Sequence, residues 1–282
     1  MAGMPPAWRV TSSFQPLFSV HSATLAGYEA LARPVNAAGE PIRPADFFAA
    51  HAEADLARLD RECRRTHLSR FASLDEGAGH LYLNVHPRSL LADSGIDLRA
   101  ELALHGLAPA RVCLEILEDE SGDEGLLAEA VALCRTTGIR VAMDDFGIAR
   151  SNFDRVVALA PDLVKIDRSL LNEAVGCTKA RRLLPSVVKL LHDAGTQVAV
   201  EGIEEAPEAL CAIEAGADFL QGFYLGTPRP SLALDPIATD LIRRLKRLAG
   251  SCEGEPSGCD ADAASSCLAR LLVAGRSLGA AD

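Results

Sequence analysis

Short apolar runs that end in a polar residue recur along this 282-residue chain, one strand-plus-helix unit apart. The runs are Gly27-Tyr28-Glu29, Tyr82-Leu83-Asn84, Val112-Cys113-Leu114-Glu115, Val141-Ala142-Met143-Asp144-Asp145, Leu163-Val164-Lys165, Val198-Ala199-Val200-Glu201 and Phe219-Leu220-Gln221. Runs this short, separated by helical stretches, imply strands of a parallel sheet joined by crossover helices. A closed parallel barrel carries its chemistry on the C-terminal ends of its strands. Strands with a purely structural role would end in turn residues instead. Here the ends carry acids, two amides and one lysine.

The spacing predicts strands at residues 14–20, around Glu29, and at 81–85, 111–117, 139–143, 162–166, 197–200 and 218–220. Pro16 suits an edge or irregular first strand, because proline gives nothing to a ladder. Helices are predicted over 44–70, 124–136, 180–193, 205–214 and 232–248, with Leu56, Leu59, Cys63 and His67 at helical spacing in the first. Gly138, Gly195 and Gly216 stand where C-cap glycines belong. Eight strands argue for a (β/α)8 barrel of TIM type rather than an open sheet, and no Gly-rich dinucleotide fingerprint follows the first strand. The barrel is expected to fill 1–249. Residues 249–264 read as a linker, within a flexible tail of 250–282. In that tail 266–278 has the pattern of a short amphipathic helix, with disorder as the alternative.

The net charge of −11 disfavours a nucleic-acid polymer as partner, since affinity for phosphate backbones comes largely from Lys and Arg. A small phosphorylated ligand remains compatible if metal ions supply positive charge. The eight cysteines form no Cys-x-x-Cys pair, and at this size they read as free thiols in a reducing cytoplasm. Residues 1–8 lack a secretory signal pattern, and no apolar stretch is long enough to span a bilayer.

At the strand ends Glu29, Glu115, Asp144, Asp145 and Glu201 supply five negative charges, and Lys165 offsets one. Carboxylates converging on one cleft repel, and some are driven to protonate. Two divalent cations would neutralise the excess of four, and hard oxygen ligands favour magnesium, manganese or calcium. Paired ions are a standard device for displacement at phosphorus. Successive strand residues face opposite ways, so Asp144 and Asp145 both reach one site only if the strand ends there. Phe146-Gly147 is read as the turn that ends it. Taken singly, each residue has an ordinary explanation: a helix N-cap for an Asp, a snorkelling Lys165, a turn at Asn84. His67 and His86 read as packing or surface residues.

In order along the chain stand Phe14-Gln15-Pro16, Glu29-Ala30-Leu31 with Arg33, Leu83-Asn84-Val85, Leu114-Glu115-Ile116-Leu117-Glu118, Asp144-Asp145-Phe146-Gly147, Lys165-Ile166-Asp167-Arg168, Glu201-Gly202-Ile203-Glu204 and Gln221-Gly222. With these motifs, residues 10–230 resemble the EAL-domain phosphodiesterases of bacterial cyclic di-GMP signalling. The resemblance implies a barrel whose first strand runs opposite to the rest. It implies hydrolysis of cyclic di-GMP to linear pGpG with two metal ions, magnesium or manganese, in a homodimer. Glu29, Asn84, Glu115 and Asp144 would hold one metal. Asp144 would bridge to the second, supported by Asp145, and Glu201 would complete the cluster. Lys165 would position or help deprotonate the attacking water. Gln221 would order the site, and Gln15 and Arg33 would contact the nucleotide. Glu118 would hold the loop after the paired aspartates.

That loop departs from the family pattern Asp-Asp-Phe-Gly-Thr-Gly-Tyr. Here Ile148, Ala149 and Arg150 follow Gly147, and Leu117 stands where a Thr is usual. Glu118 thereby loses its usual hydroxyl partner, and a weakened supporting shell commonly costs about 10–100-fold in rate or metal affinity. Two classes of function follow. One is an active cyclic di-GMP phosphodiesterase, favoured because the expected metal ligands are intact. The other is a receptor or interaction module that binds cyclic di-GMP, or a protein, with little turnover.

Overall fold

The computed structural model describes residues 8–51, 53–75, 77, 79–86, 89–90, 95–116, 124–147 and 153–252. Eight strands close into a barrel in sequence order. They are β1 (Trp8–Ser19), β2 (Thr24–Asn36), β3 (His80–Val85), β4 (Val112–Ile116), β5 (Arg140–Phe146), β6 (Leu163–Ile166), β7 (Gln197–Val200) and β8 (Phe219–Leu220). Strand β1 runs antiparallel to both neighbours, β2 and β8, and every other pairing is parallel. The barrel is therefore of the TIM-like α/β type with a reversed first strand. Pro16 is accommodated opposite Tyr28, and the β1–β2 ladder slips one residue at Leu17/Phe18.

One residue from each of seven strands packs into a cluster of its own: Leu17, Tyr82, Cys113, Ala142, Leu163, Ala199 and Phe219. Only the barrel interior can gather all these strands at once. Gly27 of β2 faces Tyr82, and a Cβ there would lie 2.8 Å from the Tyr82 ring and 2.3 Å from the His80 carbonyl oxygen. Glycine thus leaves the space that Tyr82 fills. Strand side chains alternate with period two. Two residues beyond this apolar layer, the strands place Glu29, Asn84, Glu115, Asp144, Lys165, Glu201 and Gln221 on the inside again, and the reversed β1 does the same with Gln15. The intervening residues, such as Leu83, Leu114, Val164 and Val200, face out and join the larger clusters between barrel and helices.

Two expectations need correction. Strand β2 is thirteen residues long, so Glu29 lies in mid-strand, not at its end; β1 and β2 form a ribbon that rises past the rim. The helix expected over 44–70 is two helices, α1 (Pro44–Ala49) and α2 (Glu53–Leu74). Trp8 stacks edge-on against Phe47 and His51, at centroid distances of 4.9 and 5.6 Å, and fixes the end of α1 to the ribbon. The remaining helices are α3 (Gly95–Leu104), α4 (Glu124–Thr136), α5 (Phe153–Leu159), α6 (Arg168–Gly176), α7 (Thr178–Asp193), α8 (Ala206–Glu214) and α9 (Pro236–Cys252). Gly138, Gly195 and Gly216 follow their helices with φ of +83°, +85° and +91°, as expected of C-cap glycines. Helix α9 starts later than expected and runs past the expected helix end at 248. The rest of the tail, including 266–278, lies outside the described residues. Among the described residues Cys63, Cys113, Cys134, Cys177 and Cys211 are free thiols, and no helix is long and apolar enough to cross a membrane.

Candidate functional site

Lys165 is the hub. Its side chain is fully buried, and Nζ lies 2.9 Å from Glu115 Oε1, 3.3 Å from Asp144 Oδ1 and 3.5 Å from Glu29 Oε2, with Glu201 Oε1 in closer contact still. Asn84 Nδ2 donates to Glu29 Oε1 at 2.8 Å, and Gln221 Nε2 donates to Glu29 Oε2 at 2.7 Å. Seven of the expected residues, from five strands and from the residues just after β7 and β8, therefore meet around one ammonium. Gln15 sits opposite Glu29 in the ladder and donates to the Gly226 carbonyl at 3.2 Å.

The electrostatics follow from one cation facing four acids. Burial acts most strongly on Lys165 and would lower its pKa. The combined attraction of Asp144, Glu115 and Glu29 outweighs it, so the lysine is held charged well above its usual range. Burial dominates at Glu115 and pushes its pKa well up, and it raises Asp144 as well. Burial also opposes ionisation of Glu29, but Lys165 and the two amide donors together bring its pKa below the usual value. An ammonium has three protons to give. Glu115 Oε2 and Gln221 Oε1 are buried with no hydrogen-bond partner. Glu115 Oε1, Asp144 Oδ1 and Glu201 Oε1 have charge contact with Lys165 without hydrogen-bond geometry. Buried acceptors left this way are costly and fit a cation with vacant coordination positions. As the side chains stand, no group of three His, Cys, Asp or Glu residues among the described residues is arranged to hold an ion; the acids close on the lysine instead.

The paired aspartates are presented by a bulge, where a strand end was expected. Strand β5 continues through both to Phe146. Met143 pairs with Val164 and Phe146 with Ile166, so three steps on β5 match two on β6. The extra residue is Asp145, in the left-handed region at φ +56°. Met143 and Phe146 both face the outer core while Asp144 is buried among the site acids. A bulge of this kind breaks the alternation and re-aims one side chain. The next turn, Glu201 to Glu204, is held by a two-pronged ion pair between Arg168 and Glu204. Gly202, at φ +66°, lies so close beneath Arg168 that a Cβ would stand 2.5 Å from that side chain.

Two cavities open on this layer. One, of about 250 Å³, is lined by Gln15, Glu29, Glu201, Gln221 and Phe223. The other, of about 360 Å³, is lined by Leu31, Arg33, Pro44, Phe48, Asp60, His67, Asn84 and His86, among others. Arg33 is half-buried beside it, with its guanidinium turned onto the Ala32 carbonyl at 2.9 Å, and is not part of the Lys165 cluster. Asp145 stands on the bulge rather than in that cluster. Glu118, Leu117 and the altered loop at 148–150 lie outside the described residues. His67 proves buried, and both it and His86 line the second cavity, a role not foreseen. Cys63 and His67 do share a helix face with Leu56, as their spacing indicates, but the face closes only partly on the barrel wall.

Comparison with known proteins agrees with this geometry. The EAL domain profile matches residues 7–228, and the chain belongs to the EAL-domain family. It is 32% identical over 157 residues to the cyclic di-GMP phosphodiesterase RocR of Pseudomonas aeruginosa, covering 54% of this chain and 39% of RocR. The crystal structure of Bacillus subtilis YkuI with c-di-GMP and calcium superposes with a TM-score of 0.76 at 27% identity, over 86% of this chain and 62% of that one. Klebsiella pneumoniae BlrP1 with manganese and cyclic di-GMP gives a TM-score of 0.71 at 26% identity, over 82% and 58% of the two chains. The chain spans about half or less of the length of the curated relatives it matches.

Proposed function

We propose that this chain is a metal-dependent phosphodiesterase that hydrolyses cyclic di-GMP to linear pGpG. The observation that carries the reading is the ring of Glu29, Glu115, Asp144 and Glu201 around Lys165, with acceptor atoms left unsatisfied. Glu29, Asn84, Glu115, Asp144, Asp145 and Glu201 would hold two divalent cations, magnesium or manganese. When bound, these would acidify water and offset charge on the phosphoryl oxygens. Relatives crystallised with cyclic di-GMP and calcium or manganese support this choice.

The chain's own residues supply the rest. Lys165 has no exposed surface for any other duty and is held charged, so it orients the attacking water and steadies the anionic phosphate. The carboxylates around it are the ones that would turn to the cations, which frees its protons for the water. Arg33 has a half-buried planar fork suited to two parallel bonds with a phosphate. Gln221 fixes the Glu29 carboxylate, and Gln15 lines the first cavity where a ribose or phosphate would pass. Water attacks phosphorus, the bond to the ribose 3′ oxygen breaks, and the leaving oxygen takes a proton.

The second reading, binding with slow turnover, is favoured by one observation, the replacement of three loop residues by Ile148, Ala149 and Arg150. Incubating the protein with cyclic di-GMP and magnesium or manganese, and assaying for pGpG, separates the two. Tight binding without product would leave the receptor reading standing and overturn the enzymatic one.

A further inference from the structure

The second cavity contains a polar group that the mechanism does not use. His67, on α2, is almost fully buried yet lines the cavity. Its Nδ1 lies 2.7 Å from the hydroxyl oxygen of Ser12 on β1. The Ser12 hydroxyl has no other hydrogen-bond partner among the described residues, and we take it as the donor to Nδ1. The ring's own proton is then on Nε2, which has no partner among the described residues and does not count among the sealed-off buried atoms. Burial lowers the His67 pKa to about 4, so the ring stays neutral with a single proton. The result is a pre-aimed N–H donor at a pocket whose walls combine the apolar Leu31, Pro44 and Phe48 with the polar Arg33, Asp60, Asn84 and His86. At about 360 Å³ the space is within the range of small-molecule sites. It is continuous with the candidate site, because Arg33 and Asn84 line it too.

We infer that His67, held by Ser12, reads one base of the bound dinucleotide, donating from Nε2 to the O6 acceptor of guanine. The inference rests on the reading of this site as one for cyclic di-GMP, and deepens it by naming a residue that sets base specificity. Adenine offers an amino group where guanine offers O6, so a fixed donor there penalises adenine by leaving two donors face to face.

The test is calorimetric titration of the full chain, in calcium, with cyclic di-GMP and with cyclic di-AMP. Wild type should prefer the guanine ligand. His67→Leu should weaken cyclic di-GMP about 10-fold while changing cyclic di-AMP no more than about twofold, and His67→Gln, which keeps a donor, should recover most of the loss. Ser12→Ala, which frees the ring to change tautomer, should narrow the preference. Equal weakening of both ligands, which a merely structural role predicts, would overturn the inference, as would unchanged selectivity. Should His67→Leu not fold, an unchanged preference in Ser12→Ala overturns it alone. A wild type that binds neither ligand removes the proposed function and this inference together. A wild type that binds cyclic di-GMP, with selectivity indifferent to His67, removes only the inference.

Discussion

At the scale of single residues, Lys165 ties stability to chemistry. In the protein without cations it is the counter-charge for three buried carboxylates and the half-buried Glu201. Lys165→Met should therefore destabilise the metal-free protein by about 3–5 kcal/mol, the cost of leaving buried charge unpaired. Added manganese should restore much of that loss, while turnover stays near zero. Thermal melts with and without manganese check this; a metal-free variant as stable as wild type would show that Lys165 does not neutralise the cluster. Glu115→Gln should instead remove metal affinity and turnover at little cost in metal-free stability, because burial already pushes that carboxyl toward its neutral form.

His67 gives a prediction in pH. Its folded pKa, about 4, lies below the ordinary histidine value, so the unfolded chain binds a proton more readily than the folded one. Stability from this group is complete above about pH 6.5 and falls as pH drops toward 4. The loss at pH 5 relative to pH 7 should be about 2 kcal/mol. Denaturant unfolding of wild type and His67→Leu at the two pH values isolates it. Equal pH dependence in both proteins would show that another group is responsible.

At the scale of elements, the bulge in β5 and the turn after β7 are the two places where backbone conformation serves the site. Asp145→Asn keeps a residue tolerant of positive φ and should abolish most turnover with stability nearly unchanged. Asp145→Val should also cost about 1–2 kcal/mol, since a β-branched residue is penalised in the left-handed region. Gly202→Ala combines a positive φ with a clash against Arg168, so it should destabilise by more than about 1 kcal/mol and displace Glu201. Unfolding curves and pGpG release measured on the same variants would separate strain from lost charge. These elements also mark what the sequence could show. The period-two rule carries every residue of the Lys165 cluster, because an apolar interior layer forces the polar residue two positions later to face inward as well. The bulge has no such signature, since Asp145 replaces the glycine that would announce positive φ. Helix α1 ends at Ala49 with no Gly or Pro at Ala50 or His51 to announce it, and Trp8 reaches across from β1 to pack against Phe47 there. A cavity is made by atoms that are missing, so nothing in the spacing of Asp60 and His67 distinguishes a lined void from a packed core.

At the scale of the whole molecule, divalent cations should act as folding ligands. Occupancy at 100 times the dissociation constant should add about 2.7 kcal/mol to stability. Magnesium, manganese and calcium should all raise the melting temperature, but calcium should not support efficient hydrolysis, and excess chelator should abolish it. Full hydrolysis in chelator would remove the two-cation reading outright. The reversal of β1 has a different consequence, one of wiring. In an all-parallel barrel the polypeptide enters at the floor, far from the mouth. Here Trp8 pairs with Asn36, at the far end of β2, so the chain enters at the rim above Glu29 and Arg33. Any domain joined ahead of Trp8, natural or engineered, is delivered beside the opening through which ligand must pass. Its docking or release is then felt first by the β1–β2 ribbon and by α1, which Trp8 clasps, so an upstream sensor would need no relay through the barrel to govern access.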